Sequence, residues 1–386
     1  MIRILHIAQK YGGNYPLFND MVRLDRRKFE SYFCYLRGVA DGLNEMDRLA
    51  QAVFYDFGKQ QRFFFKKLKS AHVMADIIDK HDIDIVNCQR EKTMPLGVLS
   101  SFLSKRKPKI AVTVHGLAGG EKYDLRRKIK NCFYYRFLDK VICISETVKK
   151  DVTENNVINL SGKVVVVHNG LACEKFLFEM SREEARRNIL PDSKSGFFWF
   201  GTVGRLSEVK NQERLILAFG RVLNRRPNCL LLIAGDGPLK EKLSRAVADL
   251  GLSNHVLFLG NRSDVPVILK ALDVFVFPSL REGFGLALLE AMASKIPVVA
   301  SDIPIFREIA GDSDIGRLAD PYNPVALADA MSMIMDLPQD ELKNMGERAQ
   351  CRAINDFSAA KMIRNYEALY EQIIGGGMRP FRMQSY

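Results

Sequence analysis

Strand-like and helix-like segments alternate along this chain of 386 residues, and the alternation occurs in both halves. In the first half the strand-like segments are residues 2–8, 31–36, 83–88, 110–115, 140–144 and 164–168. In the second half they are residues 197–204, 229–234, 256–260, 273–277 and 297–301, with helix-like segments at 211–225, 238–250, 265–271 and 286–293. Alternating strands and helices form parallel sheets that carry helices on both faces. The sequence therefore predicts an α/β protein with two Rossmann-like, doubly wound domains.

The chain is also longer than a single hydrophobic core usually supports, so two domains are expected. The boundary is predicted after Asn169 and Gly170, which gives a first domain of residues 1–170 and a second of residues 171–358. The C-terminal segment 359–386, which begins with a helix, is expected to pack back on the first domain. Ligands of such sheets bind beyond the carboxyl ends of the strands, so the site is expected in a cleft that both domains face.

The composition is that of a globular protein in a reducing compartment. Hydrophobic residues make up 47% of the chain and charged residues 26%, which argues against long disordered tracts. The seven cysteines are scattered and contain no C-x-x-C pair, which predicts buried free thiols and argues against a zinc site. The sequence has neither a long apolar run nor a signal-peptide pattern at its N-terminus. We therefore expect a cytoplasmic protein.

The formal net charge of +12 lies entirely in the first half of the chain. Residues 1–170 contain 30 Lys and Arg against 18 Asp and Glu, whereas the rest of the chain contains 27 of each kind. Basic residues are interleaved with aromatic ones around segments 60–69, 104–109 and 126–137. This pattern fits peripheral binding to an anionic membrane, where each cation contributes about 1 kcal/mol. It also fits single-stranded nucleic acid, or a solvated surface that only keeps the protein soluble.

One glycine-flanked turn carries two glutamates, in the sequence PSLREGFGLALLE at residues 278–290. A buried strand is predicted before it, glycines 283 and 285 allow a tight turn, and a helix is predicted to begin at Leu286. The N-terminus of such a helix suits a phosphate. Glu282 and Glu290 could bind hydroxyl groups on either side of it, or act as a paired acid and base. Taken alone, the segment fits equally well an interpretation without a site, in which Glu282 is a solvated loop residue and Glu290 lies on an exposed helix face.

The sequence TVGRLSEVKN at residues 202–211 is the second candidate segment. A predicted strand ends before Arg205, and Lys210 precedes the next helix. Two cations about one loop apart can clamp a diphosphate, with Arg as a planar fork and Lys as a point charge, although surface charge is the alternative interpretation. The next two strands also end in glycine and polar residues, GDGP at 235–238 and GNRSD at 260–264, as the loops of a single site would.

In this order and combination, the segments resemble the retaining glycosyltransferases of family four, also called group 1, which have the GT-B fold. The resemblance extends into the first half through TVHG at 113–116, ISETVK at 144–149 and HNG at 168–170, so it covers most of the chain. It implies a GT-B architecture with two Rossmann-like domains facing a central cleft. The first domain would bind the acceptor and the second the nucleotide-sugar donor.

The resemblance also implies roles for individual residues. Arg205 and Lys210 would bind the donor diphosphate and stabilise the charge that develops there. Glu282 would hold sugar hydroxyls, Glu290 the ribose, and His115 would lie near the transferred sugar. The catalytic assignments are Arg205, Lys210, Glu282 and His115. The substrate-binding assignments are the diphosphate and acceptor turn Gly12 and Gly13, the nucleobase loop Asn261 and Arg262, the sugar and phosphate turn Gly283, Phe284, Gly285 and Leu286, and the ribose ligand Glu290.

Such a site needs no divalent metal and no cofactor besides the donor substrate, because fixed cations and a helix N-terminus stabilise the leaving diphosphate. A D-x-D sequence at 82–84 matches the metal-binding motif of other glycosyltransferases, but it leads into a predicted strand, and neither it nor the D-x-D at 312–314 is expected to bind metal. One departure from the family follows Gly13: many relatives have an acidic or hydroxyl residue there, whereas this chain has Asn14, Tyr15 and Pro16. That departure leaves the acceptor contacts open.

The sequence thus predicts a hexosyltransferase that moves a sugar from a nucleoside-diphosphate sugar to a lipid-linked or polysaccharide acceptor in cell-surface glycan biosynthesis. It is expected at the inner face of the cytoplasmic membrane, where an anionic membrane surface is its partner. Nucleic acid is not expected as a partner. Two alternatives remain open: a nucleotide-sugar epimerase of the same fold, and a basic protein that binds a membrane or nucleic acid without catalysis. A dinucleotide oxidoreductase is disfavoured, because no G-x-G-x-x-G follows a strand with an acid about twenty residues further on.

Overall fold

The computed structural model describes most of the chain, and its contacts divide it into two compact units. The described residues are 1–9, 21–36, 51–54, 64–117, 125–156, 158–190, 196–311 and 314–376, with only the backbone described for 51–54, 64–67 and 125–128. The first unit combines Met1–Gly170 with the segment that begins at Ala359, and the second is Leu171–Ser358.

The first unit contains a seven-stranded parallel sheet with the order β3-β2-β1-β4-β5-β6-β7. Its strands are β1 (Ile2–Ala8), β2 (Phe29–Tyr35), β3 (Gln51–Phe54), β4 (Ile85–Gln89), β5 (Lys109–Val114), β6 (Lys140–Cys143) and β7 (Val164–Val166). The helices described between them are α1 (Phe64–Lys80), α2 (Met94–Leu103), α3 (Leu125–Tyr135) and α4 (Glu146–Glu154). The central strand β4 is buried along its whole length, as expected for a parallel strand with helices on both faces.

The second unit contains a six-stranded parallel sheet with the order β10-β9-β8-β11-β12-β13. Its strands are β8 (Phe198–Val203), β9 (Cys229–Ala234), β10 (Val256–Gly260), β11 (Val274–Phe277), β12 (Val298–Ser301) and β13 (Gly316–Ala319). Its helices are α5 (Arg182–Ile189), α6 (Gln212–Arg225), α7 (Lys240–Asp249), α8 (Val265–Ala271), α9 (Leu286–Ala293), α10 (Pro304–Ala310), α11 (Pro324–Met335) and α12 (Gln339–Phe357), with short 3₁₀ turns at Cys173–Phe176 and Glu208–Lys210.

The last helix, α13 (Ala359–Gly375), belongs to the first unit although it follows the second in sequence. Its apolar face, including Tyr366 and Tyr370, is buried in the core of the first sheet. Asn87 of β4 donates a hydrogen bond to the Tyr370 hydroxyl at 2.9 Å, and the Glu367 carboxylate accepts from the Asp25 backbone NH at 2.7 Å. These contacts fix the C-terminal helix to the first sheet.

Two fold features differ from the sequence predictions. The sequence analysis did not identify strands β3 and β13 or the helices α5 and α10 to α12. The seven cysteines are free, but Cys351 is exposed, so the prediction that all of them are buried was wrong for that residue. Cys351 lies on the long helix α12 but is not among the residues that this helix buries. In the described part of the chain, no helix has both the length and the apolar composition needed to cross a membrane.

Candidate active site

The loop that carries Arg205 lies directly on the loop that follows the neighbouring strand. The backbone NH of Gly204 donates to the oxygen of Ala234, the last residue of β9, at 2.9 Å, and that of Leu206 donates to the oxygen of Asp236 in the loop after β9 at 3.0 Å. A Cβ atom added at Gly235, whose φ is +134°, would lie only 2.0 Å from the Gly204 carbonyl oxygen. A side chain there would push the two loops apart, so this close approach explains the glycine and holds the exposed Arg205 at the end of β8.

A cavity of about 370 Å³ opens where the loops after β8, β9 and β10 meet. It is lined by Val203, Gly204, Arg205, Ala234, Gly235, Asp236, Asn261, Arg262 and Val265. The structure thus brings Arg205 together with the predicted nucleobase loop. The Arg262 guanidinium donates to both oxygens of Asp264, at 2.7 Å and 2.5 Å, so that side chain is held by its own loop.

Lys210 and Glu282, which are 72 residues apart in sequence, form an ion pair. The Lys210 Nζ atom lies 2.5 Å from Glu282 Oε1 and 4.6 Å from the centre of the Phe277 ring. Both side chains are mostly buried, with 23% and 14% of their surface exposed. A Cβ added at Gly204 would lie 3.6 Å from Lys210 Cε, so the lysine also runs alongside the loop of Arg205. The pair places one fixed cation and one fixed carboxylate at the same end of the sheet.

Asn211 explains how the pair is held, and the sequence analysis gave it no role. It is buried, has a positive φ of 59°, and its side-chain NH₂ donates to the backbone oxygens of Pro278 at 2.9 Å and Pro321 at 2.8 Å. The Leu280 backbone NH also donates to the Val209 oxygen at 2.8 Å. These bonds fasten the Lys210 segment to the loop of Glu282. An Asn directly before a helix, where a left-handed turn is tolerated, was the available sequence signal.

The turn at residues 283–286 leads into α9 as predicted. Gly285 is the N-cap residue with a φ of +96°, and a Cβ there would lie 2.9 Å from the Phe306 ring. Gly285 therefore supplies no side-chain oxygen to the first backbone NH groups of α9, which begin at Leu286. The buried Phe284 ring packs edge-on against Phe357 at 5.8 Å, so Phe284 can serve a ligand through its backbone, next to that of Gly283.

Glu290 lies in the second turn of α9 and is mostly buried. Burial raises the pKa of its carboxyl from 4.5 to about 7, against the opposing effect of the positive charges of Lys210 and Lys175. The electrostatic influence of Lys210 reaches both glutamates. A carboxyl that is this costly to ionise gains from hydroxyl donors that solvate its charge.

His115 belongs to the first unit, where it follows β5. Its Nε2 atom lies 2.7 Å from the Oε1 atom of Gln89, a buried residue that the sequence analysis did not select. Burial, together with the positive charge of Arg90, lowers the pKa of His115 to about 3. The ring is therefore neutral near pH 7. A pKa so far below the working pH makes it a weak base, which suits a hydrogen-bonding role better than that of a general base.

Some of the remaining predicted positions are described and others are not. Gly12 and Gly13 lie outside the described residues. Asp82 and Asp84 pair with Arg3 and Arg106, with nitrogen to oxygen distances of 3.2 Å and 2.8 Å. Of the 312–314 motif only Asp314 is described, and it pairs with arginines 317 and 348. These arginine pairs agree with the prediction that neither D-x-D serves as a metal site, which itself stays a prediction.

Two family models match the chain and together cover most of it. Residues 22–175 match the model described as Glycosyltransferase Family 4, and residues 181–352 match Glycosyl transferases group 1. The chain belongs to glycosyltransferase family 4. This transferase is therefore an enzyme of polysaccharide or glycan biosynthesis.

Known proteins resemble the transferase over almost its whole length. An Escherichia coli protein named UDP-Gal:alpha-D-GlcNAc-diphosphoundecaprenol alpha-1,3-galactosyltransferase is 29% identical over 97% of both chains. A glycosyltransferase structure from Rickettsia africae superimposes with a TM-score of 0.84 at 23% identity, over 97% of this chain and 99% of the other. Anabaena HepE in complex with UDP and glucose gives 0.80 at 19% identity, over 96% and 100%. These likenesses confirm the predicted GT-B architecture.

Proposed function

We propose that this transferase takes a sugar from a nucleoside-diphosphate sugar and transfers it, with retention of anomeric configuration, to a lipid-linked or polysaccharide acceptor. One observation carries the proposal. The Lys210–Glu282 ion pair joins the 3₁₀ turn Glu208–Lys210 to the turn that leads into α9, and Glu290 lies on that helix. A cation, two carboxylates and a helix N-terminus with a glycine cap are the groups that a sugar diphosphate requires.

The charges of the site match the charge that develops when the bond between the sugar and the diphosphate breaks. When the sugar leaves, negative charge grows on the diphosphate, and Arg205 and Lys210 stabilise it together with the α9 N-terminus. The diphosphate replaces Glu282 as the partner of Lys210. Glu282 is then available to accept hydrogen bonds from sugar hydroxyls, while Glu290 accepts those of the ribose. The cavity beside Asn261 and Arg262 receives the nucleobase.

The known relatives support the donor and acceptor classes. The name of the E. coli relative specifies UDP-galactose as donor and a sugar linked to diphosphoundecaprenol as acceptor. The structure of HepE contains UDP and glucose. We accordingly propose a UDP-hexose donor and a polyprenyl-diphosphate-linked saccharide acceptor for this chain. Retention is proposed with attack from the leaving-group face, and neutral His115 binds the transferred sugar.

The proposal is tested in two steps. A thermal-shift panel of nucleoside diphosphates comes first, and a nucleotide at one hundred times its dissociation constant should add about 2.7 kcal/mol of stability. Mass spectrometry of products on a polyprenyl-diphosphate-linked N-acetylglucosamine acceptor follows, with the anomer assigned by NMR. Release of nucleoside diphosphate without any acceptor-dependent product would indicate a different reaction, such as epimerisation. Absence of any nucleotide-dependent shift would overturn the donor site itself.

We further propose that the enzyme docks on an anionic membrane through an aromatic patch formed by Phe102, Phe133 and Phe137 of the first unit. The Phe137 ring lies 5.2 Å from Phe102 and 5.3 Å from Phe133, both edge-on. More than half of Phe102 and Phe133 is exposed. Exposed cations stand at residues 105–107, a few residues after Phe102. Exposed rings beside cations favour the interface of an anionic bilayer.

Replacing all three phenylalanines with serine should lower binding to vesicles that contain anionic lipid by at least about tenfold, because the apolar contacts are lost. Co-sedimentation with liposomes measures this directly. The matched control changes three exposed apolar residues of the second unit, Leu250, Tyr322 and Met333, to serine. Equal losses in both variants, or no binding by the unmodified protein at low salt, would remove the docking proposal and leave the donor site untouched.

A further inference from the structure

The first residue of α6, Gln212, ties the loop of Arg205 to the segment that carries Lys210. Gln212 is almost fully buried, and its Nε2 atom donates to the Arg205 backbone oxygen at 3.1 Å. Its Oε1 atom has no hydrogen-bond partner within the described part of the chain. Gln212 follows Asn211, whose side chain fastens this segment to the loop of Glu282. One buried amide therefore joins the two cations of the site through a fixed segment.

The peptide group between Arg205 and Leu206 is held at both ends. Its carbonyl oxygen accepts from Gln212, and its NH group, which belongs to Leu206, donates to the Asp236 oxygen at 3.0 Å. Because a peptide group is planar, bonds at both ends fix the orientation of the whole unit. Its plane includes the Arg205 Cα atom. The two bonds therefore anchor the point from which the exposed Arg205 side chain extends along the cavity.

We propose that Gln212 is a positioning residue for the donor diphosphate: by fixing the peptide group after Arg205, it sets the spacing of Arg205 and Lys210 to match two neighbouring phosphates. The inference rests on the proposed function, in which these two cations bind the diphosphate. A diphosphate gains from both cations only when their spacing matches its own, because charge-assisted hydrogen bonds depend on geometry. A monophosphate binds to one cation without that requirement. The difference between the two ligands therefore reports the role of Gln212.

The experiment compares the binding of UDP and UMP to the unmodified chain and to Gln212→Met by isothermal titration calorimetry. Methionine keeps the length of the side chain but cannot donate to the Arg205 oxygen. The variant should bind UDP about tenfold more weakly, and UMP within about twofold of the unmodified protein. Its melting temperature should fall by at most about 4 °C, because the substitution also removes the unpartnered Oε1 acceptor.

Two further variants separate positioning from stability. Gln350→Met removes the same kind of bond elsewhere in the second unit, where the Gln350 amide donates to the Ala293 oxygen at 2.8 Å. It should melt like Gln212→Met but keep the ratio of the UMP and UDP dissociation constants. In an Arg205→Ala background, Gln212→Met should not change that ratio further, because its effect passes through Arg205.

The results distinguish a failure of this inference from a failure of the proposed function. An unchanged ratio in Gln212→Met, or an equal change of the ratio in the Arg205→Ala background, would overturn the role of Gln212 and leave the proposed function standing. If the unmodified protein bound neither UDP nor another nucleoside diphosphate, the proposed function would fail and the inference with it. If the thermal-shift panel selects guanine, GDP and GMP take the place of UDP and UMP.

Discussion

Changing Lys210 to alanine should lower kcat by about 10²–10³-fold or more, while the protein stays folded. The Nζ atom is the fixed cation of the site, and loss of one group that stabilises developing negative charge has effects of this size. The same change leaves Glu282, which is mostly buried, without its partner at 2.5 Å. An unpaired buried charge destabilises a protein, so the melting temperature should also fall. Turnover of labelled nucleotide sugar and thermal melting measure the two effects.

Two further variants separate catalysis from stability. Lys242 pairs with Glu213 at 2.6 Å in the same unit, but both side chains are about half exposed, so Lys242→Ala should change neither turnover nor melting appreciably. The double variant Lys210→Ala with Glu282→Gln removes the unpaired charge. It should recover most of the melting temperature and none of the activity. Recovery of both together would show that the pair is structural and would contradict the proposed role of Lys210.

The fold could be predicted largely because its strands are short apolar runs between breakers. Strands such as β9, with the sequence CLLLIA, are buried at every residue, so their apolar run is unbroken. The two missed strands lie at sheet edges. β13 reads GRLA and is only partly buried, and β3 is four residues long. An edge strand needs apolar packing on fewer sides, so its sequence carries a weaker signal.

Only those parts of the candidate site that lie within one local segment could be predicted from the sequence. The turn before α9 is such a segment, because Gly285 marks a left-handed N-cap in the sequence itself. The contacts of Asn211 and of Gln89 are different. Asn211 bonds to backbone oxygens 67 and 110 residues further on, and Gln89 meets His115 because β4 and β5 are neighbours in the sheet. Such partners depend on strand order, which no single segment specifies.

Changing Glu290 to glutamine should stabilise the protein without nucleotide and, at the same time, weaken donor binding. Burial holds the pKa of Glu290 near 7 in the folded chain, against 4.5 in an unfolded one. Between those pH values the folded state binds a proton that the unfolded state has released. The contribution to stability is therefore lost as the pH rises from about 4.5 to 7. Glutamine is neutral throughout, so its advantage should grow over that window to at most about 3 kcal/mol.

Donor binding should respond in the opposite direction. Ribose hydroxyls donate to the carboxylate and stabilise its charged form, so the amide of Glu290→Gln should raise the dissociation constant of the nucleotide about 10–100-fold. Melting curves from pH 5 to 8, with and without nucleoside diphosphate, measure both effects, and Glu241→Gln on the exposed face of α7 is the control. A residue that destabilises the free enzyme and stabilises only the complex with ligand is retained for binding. If Glu290→Gln melted like the unmodified protein at pH 8 and bound nucleotide equally well, Glu290 would not be a ligand of the ribose.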